Sequence, residues 1–250
     1  MMPNPAVSRI YAKSRAGRLL LRWENMRSTA GRLYRILSFD RVVQLFEKEE
    51  LHFAHPSTWE DPYEVRLKHN QSHQLFGQCW CTKCVSDAMW RIYSPSHLGV
   101  RISTSTALLR RQLTSLAKEN GYTLRMESVR YESQYKINKE FAALRDDLQR
   151  RFSVERAMDA LFLKREAFDH EAEFRVLLNV PEANRKTVRE GFKIPINPHR
   201  LIDSVLLDPR APTELVAAFT YYLQQKIGFK KRVARSVLYK STDPYIVEDE

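Results

Sequence analysis

Glycine is scarce in this chain, with only 7 residues in 250, and no stretch rich in proline, glycine and serine interrupts it. Flexible tethers between independently folded domains are normally built from such residues, so their absence argues against a tethered two-domain organisation. No internal repeat is visible, which argues against a solenoid. The sequence therefore predicts one domain over residues 31–250, preceded by a basic arm at residues 1–30.

Cysteine is confined to a single place in the chain. Cys79, Cys81 and Cys84 fall within six residues, and no other cysteine exists to pair with them, which argues against the disulfide framework of a secreted protein. No apolar stretch approaches the roughly 18 residues that a membrane span requires. We therefore expect a cytoplasmic protein of a reducing compartment that does not contact a membrane.

The cysteine cluster raises the question of a metal. Three thiolates, with His73 six residues before the first, could form a tetrahedral zinc set. The spacing of the three cysteines is poor for such a site, and cysteines are also common as ordinary buried thiols without a ligand. We therefore expect ordinary thiols without a metal at Cys79, Cys81 and Cys84, and a structural zinc site is the alternative.

Acidic residues are outnumbered. The chain has 41 Lys and Arg against 30 Asp and Glu, a formal net charge of +11. Eight of the basic residues lie between Arg9 and Arg35, where Glu24 is the one acid. Because positive charge attracts polyanions, residues 1–30 could bind nucleic acid or an acidic protein partner. The alternative is a solvated tail that aids solubility.

Short apolar runs alternate with helical patterns at irregular intervals, without the even cadence of a doubly wound sheet. The pattern predicts an α+β domain with a mixed β-sheet and surrounding helices. The predicted strands cover residues 33–37, 51–54, 75–81, 98–103, 122–131, 174–180, 192–196, 201–207 and 233–239. The predicted helices cover residues 38–49, 105–120, 138–168 and 212–227.

Two short segments outside the regular pattern carry candidate site residues. Residues 59–64 place three carboxylates beside two aromatic side chains in a proline turn, which could bind a metal or a hydroxyl-rich ligand. The alternative for Asp61 is that it caps the turn, while the role of Glu64 stays open. In residues 87–94, which Ser86 would cap as a helix, Trp90 and Tyr93 are either core residues or the wall of a nucleotide pocket.

The segment Glu171-Ala-Glu173-Phe-Arg175 is the most suggestive one. Strand alternation would place both glutamates and the arginine on one side, which is normally a solvated surface. Lys164 and Arg165 just upstream would, however, bring cations close to these carboxylates. Such a mixture of charges perturbs ionisation at catalytic sites, so the segment is also a candidate active site.

The chain contains several short motifs, which are Tyr34-Arg35, residues 61–64, Met89-Trp90 with Tyr93, Gly99-Val100, Lys164, residues 171–175 and Asp208-Pro209. In this order they resemble a widespread bacterial family called domain of unknown function 2971. The resemblance covers roughly residues 32–210, and the basic arm and the Cys81/Cys84 pair are not part of it. Members of that family often accompany mobile elements and phage-defence regions, which implies a conditional effector.

The chain is also distantly similar to ADP-ribosyltransferases, which combine an early Arg or His, a middle strand rich in hydroxyls and a late Glu-x-Glu. Arg35, residues 103–105 and the pair Glu171 and Glu173 occur here in that order. This similarity implies NAD as cofactor, with Arg35 on a phosphate, Glu173 at the ribose and Glu171 orienting the acceptor. The implied catalytic residues are Glu171 and Glu173, and the implied cofactor-binding residues are Tyr34, Arg35, Glu64, Trp90, Tyr93 and Arg175.

Two other functions remain open from the residues. One is a module that binds nucleic acid or a partner through the basic arm and through arginines of the helices, namely Arg145, Arg150, Arg151 and Arg156. The other is a metal-dependent nuclease with Asp61, Glu64, Glu171 and Glu173 as Mg²⁺ ligands. The transferase hypothesis makes one spatial demand, that Arg35, Tyr93, Glu171 and Glu173 open onto one cavity.

Overall fold

A computed structural model describes residues 31–84 and 86–241. The predicted basic arm at residues 1–30, and with it the partner expected there, lies outside the described residues. One compact unit begins at Leu33. No helix in its described part combines the length and the apolar character that a membrane span needs.

A seven-stranded mixed sheet forms the centre of the fold, in the order β11-β10-β4-β1-β3-β8-β5. Its strands are β1 (Arg32–Ser38), β3 (Leu75–Cys81), β4 (Gly99–Ser105), β5 (Thr123–Ser128), β8 (Glu173–Asn179), β10 (Ser204–Leu207) and β11 (Arg232–Arg235). Strand β3 is antiparallel to both β1 and β8, whereas β10 is parallel to β11. The predicted α+β class with a mixed sheet is therefore confirmed.

Two small sheets flank the central one. Strand β2 (Glu50–Phe53) pairs antiparallel with β9 (Phe192–Pro195), and β6 (Arg130–Glu132) pairs parallel with β7 (Leu163–Arg165). The parallel pair brings Lys164, in the middle of β7, next to Tyr131. This small sheet therefore places Lys164 beside Glu173, the first residue of β8.

Helices surround the sheet, and several of them begin at a serine whose side chain caps the first turn. Ser105 accepts a hydrogen bond from the Leu108 amide, and the helix that follows buries Leu109 and Leu113 against the sheet core. The α-helices are α1 (Phe39–Glu47), α2 (Asp87–Tyr93), α3 (Thr106–Glu119), α4 (Gln134–Arg150), α5 (Val154–Ala157), α6 (Arg185–Glu190), α7 (Pro198–Leu201) and α8 (Thr213–Tyr221).

The prediction of one long helix over residues 138–168 is wrong. Helix α4 ends at Arg150, Ser153 caps the short α5, and a 3₁₀ turn over Met158–Phe162 leads into β7. The predicted strand over residues 122–131 is likewise two strands, because the Val129 amide bonds to the Glu173 carbonyl at 2.9 Å. Both breaks bend the chain so that β6 and β7 reach the start of β8, at Glu173.

Candidate functional site

The candidate site lies where three neighbouring strands of the central sheet meet. Tyr34 of β1 pairs with Cys81 of β3, and Cys81 in turn pairs with Glu173 of β8. A cavity of about 330 Å³ opens between residues 34–38 and residues 79–81. We call it the first cavity.

Five of the predicted site residues line the first cavity, together with Met89 of α2. They come from β1, from the end of α2 and from the segment around the start of β8, and they are Tyr34, Arg35, Tyr93, Glu171 and Glu173. The spatial demand of the transferase hypothesis is therefore met. Three other predicted residues, Glu64, Trp90 and Arg175, are not among the residues that line it.

A left-handed residue brings the two glutamates together. Glu171 ends a 3₁₀ turn and Glu173 begins β8, while Ala172 between them has a φ of 44°. The Ala172 carbonyl accepts hydrogen bonds from the amide and the hydroxyl of Thr82, both at 2.9 Å, which hold this kink in place. The prediction that both glutamates lie on one strand face is therefore wrong, and they converge through the kink instead.

Lys164 joins the two carboxylates. Its ammonium donates to Glu171 Oε2 at 2.5 Å and to Glu173 Oε1 at 2.6 Å. All three residues are buried, with 6 to 7% of their surface exposed. The interpretation of the acidic segment as a solvated surface is therefore wrong.

Arg175, a core residue of β8, binds Glu173 and Glu64. Its Nε donates to Glu173 Oε2 at 2.7 Å, its Nη1 to the Leu161 carbonyl at 2.7 Å, and its Nη2 to Glu64. The Trp59 ring lies 4.5 Å from the guanidinium carbon. Glu64 and Arg175, two predicted cofactor-binding residues, do not line the first cavity; Arg175 binds Glu173, and Glu64 binds Arg175. We call Glu64, Lys164, Glu171, Glu173 and Arg175 the buried charge network.

The network shifts the pKa values of Glu171 and Glu173, which line the first cavity, in opposite directions. Burial, together with the hydrogen bond to Glu173, raises the pKa of Glu171 to about 7. Burial acts in the same direction on Glu173, but Arg175 and the hydrogen bonds from Glu171 and Arg175 outweigh it and lower the pKa of Glu173. With the proton on Glu171, two cations face two carboxylates, and the network is neutral.

This separation predicts a pH dependence of stability. The usual pKa of Glu is about 4.3 in an unfolded chain, so between pH 5 and 7 the folded protein holds a proton on Glu171 that the unfolded chain has lost. Stability contributed by Glu171 therefore falls as pH rises through this window. We expect wild type to lose stability relative to Glu171→Gln between pH 5 and 7.5, measured by urea unfolding. A difference that does not vary with pH would contradict the assignment.

Arg35 lines the same cavity as these carboxylates. Among the described residues its guanidinium makes no hydrogen bond and no ion pair, although it lines the cavity. Burial lowers the pKa of Arg35, partly offset by Cys79 and Tyr93 nearby. An arginine stays charged in proteins, so the first cavity contains a cation that has no ion-pair partner among the described residues.

Two tyrosines lie near Glu173, and one of them, Tyr93, lines the first cavity. Burial and the neighbouring carboxylates of Glu171 and Glu173 raise the pKa of Tyr93, which is therefore a neutral hydroxyl. Tyr131 accepts a hydrogen bond from the Glu173 amide at 2.8 Å. Sequence reasoning missed Tyr131, because nothing in the sequence around β6 indicates that it meets β8.

Other predicted site features have structural roles instead. Trp90 is 1% exposed, in the core, so Met89 and Tyr93 rather than Trp90 face the cavity. The hydroxyl of Thr104 donates to the Leu201 carbonyl at 2.7 Å, and the hydroxyl of Ser103 lies 2.7 Å from that of Ser204. The hydroxyl-rich segment 103–105 therefore ties β4 to its neighbours and caps α3.

The carboxylates proposed as magnesium ligands are all engaged. Asp61 caps its turn by accepting from the Tyr63 amide at 3.1 Å and is bound by Arg165 at 2.9 Å. Glu64 is bound by Arg175. Within residues 31–84 and 86–241, no group of three His, Cys, Asp or Glu could hold a metal ion.

The three cysteines are free thiols. Burial raises the pKa of Cys79 to about 12, and burial also raises the pKa of Cys81. Thiols with raised pKa values are poor nucleophiles and poor metal ligands. Cys79 and Cys81 serve as wall residues of the first cavity, a role that the sequence did not indicate.

The helical arginines proposed for nucleic-acid binding are partly neutralised by their own neighbours. Arg145 pairs with Asp146 at 2.8 Å, and Arg156 pairs with Asp147 at 3.0 Å. Arg150 lies 4.0 Å from Asp147, and Arg151 is exposed. A nucleic-acid partner therefore remains a prediction that depends mainly on residues 1–30, outside the described part.

The comparison with protein families agrees with the resemblance found in the sequence. The family described as "Protein of unknown function (DUF2971)" matches residues 89–176. The resemblance is therefore confirmed for this segment, which contains Tyr93, Lys164, Glu171, Glu173 and Arg175. No curated protein matches the chain.

Solved structures of the Thermus sp. 2.9 protein DarT are also similar to this chain. The complex with NAD+ has a TM-score of 0.38 and 11% identity, covering 82% of this chain and 95% of that chain. The complex with ADP-ribosylated ssDNA has a TM-score of 0.39 and 13% identity, covering 82% and 94%. Likenesses this low carry no argument about this chain.

Proposed function

We propose that the protein binds NAD+ in the first cavity and transfers its ADP-ribose group to an acceptor. The observation that carries the proposal is that a cation without an ion-pair partner among the described residues, Arg35, and an ionised carboxylate, Glu173, line one cavity. A dinucleotide has a phosphate that could bind Arg35 and a ribose that could lie beside Glu173. A volume of about 330 Å³ suits part of a dinucleotide, so the adenosine end would extend beyond the mouth.

Arg35 would bind the pyrophosphate. A guanidinium presents several donors in a planar fork that matches phosphate oxygens. Because Arg35 makes no ion pair among the described residues, binding an anion would not require breaking an existing one. Burial strengthens such a pair, since water competes less well inside a cavity.

Glu173 would stabilise the reacting ribose. When the bond between nicotinamide and C1′ breaks, nicotinamide leaves with the electron pair, and positive charge develops on the ribose. Both oxygens of Glu173 already accept hydrogen bonds, from Lys164 at 2.6 Å and from Arg175 at 2.7 Å. The carboxylate is thus ionised and fixed before the reaction, so little reorganisation is needed when charge develops.

Glu171 would handle the acceptor proton. The acceptor forms a bond to C1′ as nicotinamide departs, and it must then lose a proton. A carboxylate with a pKa of about 7 exchanges protons efficiently near neutrality. The proposal therefore gives the two glutamates different roles, with Glu173 acting as the fixed charge and Glu171 as the base.

The proposal has a biological part as well. The resemblance to the DUF2971 family implies a conditional effector, and we propose that the transfer serves a phage-defence or toxin system in the cytoplasm. Such an effector must find its acceptor among cellular macromolecules. The basic arm at residues 1–30 is the segment that we propose for contact with nucleic acid or with an acidic partner.

The test of the proposal is NAD+ binding and turnover. We expect wild type to bind NAD+ in calorimetry and to release nicotinamide, and Arg35→Ala to weaken binding about tenfold to a hundredfold, the usual contribution of a charged hydrogen-bonded contact. Arg110→Ala is the matched control, because Arg110 is an exposed arginine of α3. Wild type that neither binds NAD+ nor releases nicotinamide would refute the proposal.

A further inference from the structure

Two of the three cysteines form a C-x-x-C pair at the end of β3. Cys81 is the last residue of the strand and is buried in the wall of the first cavity, whereas Cys84 is exposed. The Cys81 sulfur accepts a hydrogen bond from the Lys83 amide at 3.3 Å and lies 3.6 Å from the Lys83 carbonyl oxygen. It therefore lies against the peptide unit that leads into Cys84.

The segment between the two cysteines contacts the backbone that joins Glu171 to Glu173. Thr82 directly follows Cys81, and its amide and its hydroxyl both donate to the Ala172 carbonyl at 2.9 Å. Ala172 has a φ of 44°, a conformation that alanine seldom adopts unless the surrounding structure holds it. A change in the backbone of Thr82 would therefore alter the kink that brings the two glutamates together.

The Cys84 end of the pair is also connected to the first cavity. The Arg101 guanidinium donates to the Cys84 carbonyl, and its central carbon lies 4.8 Å from the centre of the Tyr34 ring. Tyr34 in turn lines the first cavity, as Cys81 does. A covalent bond between the two cysteines would therefore join two points that both contact the cavity wall, and it would enclose Thr82 in a small ring.

We propose that Cys81 and Cys84 are a modification site, at which a low-molecular-weight disulfide introduces a reversible protein disulfide that displaces Thr82 and changes the kink at Ala172. A disulfide requires specific dihedral angles, and a ring of four residues has little freedom to provide them without moving its backbone. As the bond forms, the Cys81 sulfur turns from the Lys83 amide to the Cys84 sulfur. Because Cys84 is exposed, reductants can reach the bond, as is typical of labile, regulatory disulfides.

The bond forms by two exchange steps. Burial raises the pKa of Cys81, so the exposed Cys84 attacks the small disulfide first, forming a mixed disulfide and releasing one thiolate. The Cys81 sulfur then loses its proton and attacks the Cys84 sulfur, which releases the second thiolate. The two cysteines give up two electrons and two protons, and both are taken up by the small disulfide as it becomes two thiols. An excess of a dithiol reverses the exchange.

The test treats folded wild type with excess oxidised glutathione. We expect the intact mass to fall by two hydrogen atoms and dithiothreitol to restore it. Trypsin cleaves after Lys83, between the two cysteines, so the bond should join the peptide of residues 69–83 to that of residues 84–91. Fragmentation of the joined peptides should place the bond at Cys81 rather than Cys79. Thiols that stay reduced, a glutathione adduct that persists on Cys84, or a bond at Cys79 would overturn the proposal.

The effect on the kink is measured by NMR on the same samples. We expect oxidation to shift the amide resonances of Thr82 and Ala172 in wild type, and dithiothreitol to restore them. With the same oxidant, Cys79→Ala should show both the bond and the shifts, whereas Cys84→Ser should show neither. An unchanged Ala172 resonance in protein that carries the bond would overturn the effect on the kink. Both measurements are made without NAD+, so their outcome is independent of the proposed function.

Discussion

Replacing Arg175 by methionine is expected to lower the free energy of unfolding by about 3–5 kcal/mol, the usual cost of removing one partner from a buried ion pair. Arg175 is 1% exposed and binds Glu64, Glu173 and the Leu161 carbonyl. Methionine keeps the length of the side chain but leaves two buried carboxylates with Lys164 as their remaining cation. The loss should be measured by urea or guanidinium unfolding at pH 7.

The control for this variant is an arginine with an exposed partner. Arg130 binds Glu140 at 2.5 Å, but both side chains are well exposed, and such pairs contribute less than about 1 kcal/mol. Arg130→Met should therefore be nearly neutral. The destabilisation by Arg175→Met should also shrink at pH 4 to 5, because protonated carboxyl groups no longer need the cation. Equal losses for the two variants would show that the buried charge network does not stabilise the fold.

Much of the fold is visible in the sequence because it depends on local chemistry. The strand predicted at residues 75–81 is β3 with the same bounds, since an apolar run between turn residues indicates a buried strand. Ser86 and Ser105 cap α2 and α3 as predicted, accepting from the Met89 and Leu108 amides. Asp61 caps its turn for the same reason. In each case a short polar side chain satisfies a nearby amide, which the sequence shows directly.

The errors occur where tertiary contacts override a local pattern. Residues 138–168 look helical throughout, yet the chain leaves the helix so that Lys164 can reach Glu171 and Glu173. The left-handed turn at Ala172 has no marker in the sequence, since alanine rarely adopts this conformation. Its stabilising partner, Thr82, lies 90 residues away, so no local pattern could have predicted it.

The candidate site was predictable in part. The order of Arg35, Tyr93, Glu171 and Glu173 along the chain indicated one site, and all four side chains line the first cavity. The sequence did not show which of the charged residues line the cavity and which of them bind those residues from the core. Glu64 and Arg175 carry the same charges as Glu173 and Arg35, and only the packing around β8 shows that they lie behind the cavity wall.

Replacing Glu173 by glutamine is expected to reduce nicotinamide release about 10²- to 10³-fold, the usual cost of losing one electrostatic stabiliser of a transition state. Glutamine keeps the shape of the side chain and one oxygen that accepts hydrogen bonds. The fold should survive, because loss of the neighbouring charge lets Glu171 ionise in its place beside Lys164. Glu171 would then restore the neutrality of the network without supplying the fixed charge at the ribose.

The matched control for this variant is Glu64→Gln, which removes a carboxylate from the same buried network at a position that does not line the first cavity. If Glu173 acts on the reacting ribose, Glu173→Gln should lose far more activity than Glu64→Gln at similar stability, with little change in NAD+ affinity. If Glu173 only supports the fold, the two variants should lose activity in proportion to their loss of stability. Equal activities of these two variants would therefore rule out the catalytic role of Glu173, whatever NAD+ binding shows.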